Sequence, residues 1–328
     1  TDNDGGIETI NIVASSGASD LGDGGGFGTT ATTVTVKASA ALDLGSDAEF
    51  NAVTNFDASA STAGVTAVFG NRAAASETAL SFKGGAGNDS FDLGALDIAR
   101  HGDLTVDMGA GDDTLDVGAR QDTDTGTSYV GGDGTDTLVI STTALTVAEG
   151  ALISGFEKLN IESSVTQDAD AFAGSIIGTG AAGLTLVLND LKDDSVINLN
   201  NSSTSVTMNV KTDTASDAVT VNLGGTAGAV TATALVFNTN YETVTINSQG
   251  TAANVITAFN TNVVNNITFT GATNLTVTSL NNVTGVADFA AATGNITVTV
   301  TDTTAQTVTF GSGDDTLTAT GLLAAGET

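Results

Sequence analysis

The chain has 328 residues, 38 acidic against 8 basic side chains, a formal net charge of −30, and no Cys, Pro or Trp. Without Cys it can form no disulfide, no thiolate-ligated zinc site and no thiol nucleophile, and a surface this acidic repels nucleic acid and anionic membranes. Acid excess often signals disorder, but a mean hydropathy of +0.17 with abundant Val, Ile and Thr points to a folded chain whose charge calls for cations.

From the N-terminus onward the chain reads as short β segments. GIETINI (6–12) is the first, with an apolar-Glu-x-apolar-x-apolar pattern that returns in GFEKLNI (155–161) and NYETVTI (240–246). TTVTVKAS (32–39) alternates strictly, as a half-buried strand does. Further along come LTLVLND, SVTMNVKT, AVTVNLGG, ALVFNTN, ETVTINSQ, NITFTGA, NLTVTSL, NITVTVTD and QTVTFGSG. Each is rich in β-branched residues and bounded by Gly, Asn, Asp or Ser. Thr-x-Thr runs here read as ordinary strand formers. Residues 165–183 are small and weakly patterned, so a short helix or a junction is expected there. No run of 18 apolar residues occurs, so nothing is expected to enter a bilayer as a helix. Neither TDNDGGIETI nor GLLAAGET reads as a targeting signal, and the chain is expected to be a fragment of a longer one.

A second repeat carries the chemistry: GGAGNDSFD (84–92), MGAGDDTLD (108–116), GGDGTDTLV (131–139) and, far downstream, FGSGDDTLT (310–318). The first three begin 24 and then 23 residues apart, the length of one β coil and a period that sequential hairpins have no reason to keep. Glycines let the backbone curl with its carbonyls to one side, and an aspartate closes the loop. Carbonyl and carboxylate oxygens are the ligands of a hard cation, and Ca2+ accepts six to eight of them. One loop supplies too few, so stacked copies are expected to share ions. The candidate ligands are Gly85, Gly87, Asn88 and Asp89; Gly111, Asp112 and Asp113; Gly132, Asp133, Gly134 and Asp136; and Asp314 and Asp315 in the distant copy. Phe91, Leu115, Leu138 and Leu317 are expected to point inward after each loop.

This pattern resembles the RTX calcium-binding nonapeptide GGxGxDxUx, in which U is apolar. The resemblance implies a parallel β-roll with calcium between stacked turns. Departures are clear: one copy occurs per 23–24 residues rather than in tandem, Met108 replaces a glycine, and GGFGTT (25–30) has Thr30 where the aspartate belongs, so no ion is expected there. Sparse copies, GDGTDTLVIS running on to ISGFEKLNI, and strong Thr/Ala/Asn bias resemble RTX surface-layer proteins of Gram-negative bacteria, Caulobacter type. That likeness implies type I secretion, calcium-dependent folding outside the cell and homo-oligomeric assembly into a two-dimensional lattice on the cell surface, with any glycan contact made by regions outside this chain.

The expected fold is therefore all-β, a parallel β-solenoid with RTX-like calcium-binding turns. Its segments are a β region over 1–75, the calcium-binding solenoid over 76–164 and a further solenoid over 165–328. Enzyme readings find little support: His101 is the one histidine, GxSxG is absent, and Lys37, Arg72, Lys83, Arg100, Arg120, Lys158, Lys192 and Lys211 are scattered. Glu8, Glu157 and Glu242 read either as calcium ligands or as strand-start residues that satisfy backbone donors. The alternative to a surface-layer protein is a rod-like spacer in a large RTX adhesin.

Overall fold

Alternation decides the architecture. In Thr33–Ala38 the side chains of Val34, Val36 and Ala38 are buried while Lys37 is exposed, and Ala218–Leu223 buries Val219, Val221 and Leu223 in the same way. A strand with one apolar face must bury it against another layer. Here it does so by coiling, so that successive strands alternate between two sheets and each strand pairs in parallel with the strand after next. The result is an all-β parallel solenoid, as the 24- and 23-residue periods predict. The structure, a computed structural model, describes residues 8–20, 31–45, 50, 52–70, 78–96, 103–118, 126–174, 176–224, 228–238, 241–261, 264–281, 283–301 and 307–320. Arg72, Arg100, His101, Arg120, GGFGTT and the expected boundary at residue 75 lie outside them.

The chain divides into two compact units: Thr1–Leu159 with Ala171–Gly174, and Asn160–Asp170 with Ser175–Thr328. In the first, one sheet runs from Thr9–Ala14 through Thr33–Ala38, Asn55–Asp57, Leu80–Lys83, Leu104–Asp107 and Ser128–Val130 to Ile153–Ser154. Its register stacks Val34, Phe56, Phe82, Val106, Tyr129 and Ile153 in a single buried column. The facing sheet includes Leu42–Asp43, Val65–Val68, Ser90–Asp92, Thr114–Asp116 and Thr137–Ile140. Between the sheets, Phe50, Phe56, Phe69, Phe82 and Phe91 form an aromatic cluster with neighbouring centroids 4.4–6.2 Å apart. Truncating any one of these rings to Ala is a loss of about 3–5 kcal/mol.

The second unit repeats the scheme with longer strands. Leu184–Leu191, Ser203–Val210, Thr231–Phe237, Asn254–Thr261, Leu275–Leu280 and Ile296–Val300 line one sheet. Ser195–Leu199, Ala218–Leu223, Tyr241–Ser248, Val264–Gly271 and Val283–Ala292 line the other. All ten alternating segments read from the sequence fall on strands. Outside the core, Asn198, Asn222 and Asn247 stack in register, with Asn222 Nδ2 donating to Asn198 Oδ1 (2.8 Å) and Asn247 Nδ2 to Asn222 Oδ1 (3.1 Å). The weakly patterned stretch after residue 165 holds strand Thr166–Asp168, a single 3-10 turn at Ala169–Ala171 and strand Ile176–Thr179.

Candidate metal centre

The three clustered glycine-aspartate loops stack on one another at the entrance to Ser90–Asp92, Thr114–Asp116 and Thr137–Ile140. Close approach of the backbones explains the glycines. A Cβ on Gly87 would lie 2.3 Å from the Ala63 carbonyl carbon, on Gly109 2.2 Å from Gly85 O, on Gly111 2.7 Å from Gly87 O, and on Gly134 1.9 Å from Gly111 O. Gly109, Gly111, Gly132 and Gly134 also take positive φ, between 96° and 139°, which glycine alone adopts without strain.

Each motif aspartate sits one position before its strand pairs, in the slot that Val65 and Leu42 fill in the two preceding coils. That slot faces inward. Asp89, Asp113 and Asp136 are accordingly 2 %, 1 % and 0 % exposed, so three carboxylates stand in successive coils of a core column. One oxygen of each reaches back to the coil before: Val65 N–H donates to Asp89 Oδ1 (2.7 Å), Asp89 N–H to Asp113 Oδ1 (2.7 Å) and Asp113 N–H to Asp136 Oδ1 (2.8 Å). Glu157 continues the ladder, accepting from Asp136 N–H at 2.9 Å. The neighbouring position runs a ladder in the opposite direction, with Asp112 N–H donating to Asn88 Oδ1 (3.0 Å) and Thr135 N–H to Asp112 Oδ1 (2.9 Å). Together the two ladders satisfy backbone donors where the loop leaves the regular sheet.

The second carboxylate oxygens differ. Gly85 N–H donates to Asp89 Oδ2 at 2.6 Å. In the next two copies the equivalent glycines, Gly109 and Gly132, sit at positive φ, and the buried Oδ2 atoms of Asp113 and Asp136 have no hydrogen-bond partner. A buried, unpaired carboxylate oxygen is costly. Stacked like charges about one strand spacing, ~4.8 Å, apart add a repulsion of about 3 kcal/mol per pair at a typical effective dielectric. Both effects favour the neutral acid. Burial pushes the Asp113 carboxyl up to about 7, helped by the charges of Asp89, Asp136 and Asp112 and opposed by the Asp89 N–H. Asp136 is raised by burial and by Glu157, Asp112 and Asp133, and Asp89 by burial that outweighs its bonds from Gly85 and Val65.

This donor set fits a hard cation. Asp113 Oδ2 and Asp136 Oδ2 are orphaned in adjacent coils, and the surrounding loops are glycine backbone rich in carbonyls. Among the described residues no group of three or more His, Asp or Glu side chains converges on one point, so main-chain oxygens would have to complete the shell. Asp112 and Asp133 are exposed at the rim. The inward apolar positions are as expected in the cluster, with Phe91, Leu115 and Leu138 at most 1 % exposed.

The fourth copy is built differently. Gly311 and Gly313 stack on Ala292 and Gly294, so a loop does lie one coil away although it carries no motif. Ile296 N–H donates to Asp315 Oδ1 (2.8 Å), and Asp314 N–H donates to Asn295 Oδ1 (3.0 Å). Asp315 is half-buried, Asp314 exposed, and Leu317 is 48 % exposed rather than inward, because Thr316–Ala319 is the last strand among the described residues. Two of the repeated glutamates act on backbone donors through their carboxylates, Glu157 on Asp136 N–H and Glu242 on Asp217 N–H (2.8 Å); Glu8 is exposed, and it is its main-chain carbonyl that accepts from Thr32 and Thr33 N–H. The recurring Glu was visible in the sequence. That it occupies the aspartate's place in the ladder was not, because the Glu segments lack the motif's Gly-x-Gly-x-Asp spacing and keep at most its leading glycine, as Gly155 does where it stacks on Gly131. No protein-family model matches the chain, and no curated protein matches it in sequence.

Proposed function

We propose that this is a secreted structural protein of a bacterial surface layer or a related extracellular assembly, folded by calcium and without catalytic activity. The observation that carries the reading is the column Asp89–Asp113–Asp136, in which two adjacent buried carboxylates each keep one unpartnered oxygen. Calcium held by Asp113, Asp136 and neighbouring loop carbonyls would neutralise the column and turn its repulsion into a cross-link between coils. Where free calcium is scarce, as in a cytosol, the charged column opposes folding. At extracellular calcium an ion bound only by the folded chain stabilises it by mass action. The solenoid suits such a role, since each unit is built from repeated coils whose strands pair in parallel.

The test is a calcium titration of the chelator-stripped chain, followed by circular dichroism and by electron microscopy of the same samples. Coil-to-β conversion with ordered sheets is the expected result. Conversion with the chain remaining monomeric would favour a spacer segment of an RTX adhesin, and no response to calcium or chelator would overturn the reading.

A further inference from the structure

We propose that calcium dependence is confined to the first unit, and that the second unit folds and stays folded without the ion. This rests on the calcium reading above and adds a division of labour within the chain.

The second unit meets the same geometric demands with groups that need no cation. Its strand-entry column on the sheet of Asn254–Thr261 reads Asn254, Leu275, Ile296 and Asp315, with no two acids adjacent, while on the other sheet Glu242 stands against Asp217 and accepts its N–H at 2.8 Å. Asn254, fully buried, satisfies itself: Oδ1 accepts from Val230 N–H (2.9 Å), and Nδ2 donates to Leu223 O (3.1 Å), Ser248 Oγ (3.0 Å) and Gln249 O (2.9 Å). Asp217, 1 % exposed, is the buried acid of this unit, and it differs from Asp113 in having both oxygens bonded. Thr214 donates its N–H to Oδ2 (2.6 Å) and its hydroxyl to Oδ1 (2.8 Å). Among the described residues of the unit no carboxylate oxygen is buried without a partner.

The fourth motif copy belongs with these isolated groups in spite of its sequence. The coil before it offers Ile296 where the cluster offers a second aspartate, and the Asp315 carboxylate is not fully withdrawn from water. Longer strands reinforce the unit. Ser203–Val210 and Tyr241–Ser248 have 8 residues each, whereas Ser90–Asp92 and Thr114–Asp116 in the motif coils have 3. Few ladder bonds per coil leave the motif section dependent on what neutralises its acids; many leave the second unit independent.

The experiment is hydrogen–deuterium exchange read by mass spectrometry on the full chain, in millimolar calcium and in excess chelator. Peptides within 78–139 should lose protection by about tenfold or more in chelator, while those within 184–300 change by less than about twofold. Loss of protection across both ranges together would overturn the division and leave the calcium reading standing. No change in either range would overturn both. A second arm compares calcium midpoints: Asp113→Asn should shift the midpoint and Asp315→Asn should not, and equal shifts would count against the proposal.

Discussion

Two columns of side chains, one in each unit, show how a solenoid's repeat turns a local choice of residue into a global property. Asp89, Asp113 and Asp136 stack in one; Asn198, Asn222 and Asn247 stack in the other. An amide both donates and accepts, so each asparagine completes the next and the column closes on itself. A carboxylate only accepts. Its column borrows one backbone N–H per coil and still leaves Asp113 and Asp136 with an unmatched oxygen. Any repeat protein multiplies such a surplus by the number of coils. The aspartate column therefore demands a cation or a proton from outside, and the asparagine column demands nothing.

The sharpest way to break the comparison is at the glycines that let the loops stack. Gly109→Ala puts a Cβ at positive φ and 2.2 Å from Gly85 O, and should destabilise the first unit by about 3 kcal/mol or more. Gly183→Ala, also at positive φ but with open space around it, should cost the second unit only about 1 kcal/mol. Urea unfolding followed unit by unit checks both.

Converting one column into the other sharpens it next. The triple change Asp89→Asn, Asp113→Asn and Asp136→Asn removes the charge and replaces the unmatched oxygens of Asp113 and Asp136 with amide groups, at the cost of one of the two backbone N–H bonds that Asp89 accepts. In the native chain a bound ion should contribute about 2.7 kcal/mol at a hundredfold excess over its Kd. In the triple variant the melting temperature should be the same in calcium and in chelator. A variant that kept the full calcium response would locate the ion elsewhere.

Protons should substitute for the ion in part. The Asp113 carboxyl is raised from its ordinary value to about 7, chiefly by burial. A group raised in the folded state contributes stability that is present below its unfolded value and lost as pH climbs through the folded one. In chelator, then, the first unit should be more stable near pH 5 than near pH 8, the reverse of an ion-paired carboxylate. In calcium that preference should shrink, because the ion competes with the proton. Thermal melts at the two pH values, with and without calcium, read the difference.

The smallest effect is expected in the reciprocal substitution. Asn222→Asp removes the donor to Asn198 Oδ1 and should cost about 1 kcal/mol, without creating calcium dependence, since neither neighbour is an acid. Denaturant midpoints in calcium and chelator would reveal any exception.

Much of this was legible in the residues. The 24- and 23-residue spacing announced the coil, and strict alternation placed strands such as Thr33–Ala38 and Ala218–Leu223. Asn254–Thr261 and Val283–Ala292 escaped notice because their buried positions break the period of two: Phe259 follows Ile256, and Ala292 follows Phe289, with two residues between instead of one. The motif named Asp113 and Asp136, yet register alone reveals that they occupy the core slot of Leu42 and Val65. Sequence identity also made Asp315 look equivalent to them. Its neighbours one and two coils away, Ile296 and Leu275, make it different, and a motif cannot report on a residue 19 or 40 positions distant.

The most direct test of the central claim is calorimetric titration of calcium into the chelator-stripped full chain and into the triple asparagine variant. Saturable binding to the native chain, lost in the variant and not reproduced by Asp315→Asn, is the expected result. No heat of binding in the native chain, or equal binding in the triple variant, would contradict the assignment of the buried aspartate column as the calcium site.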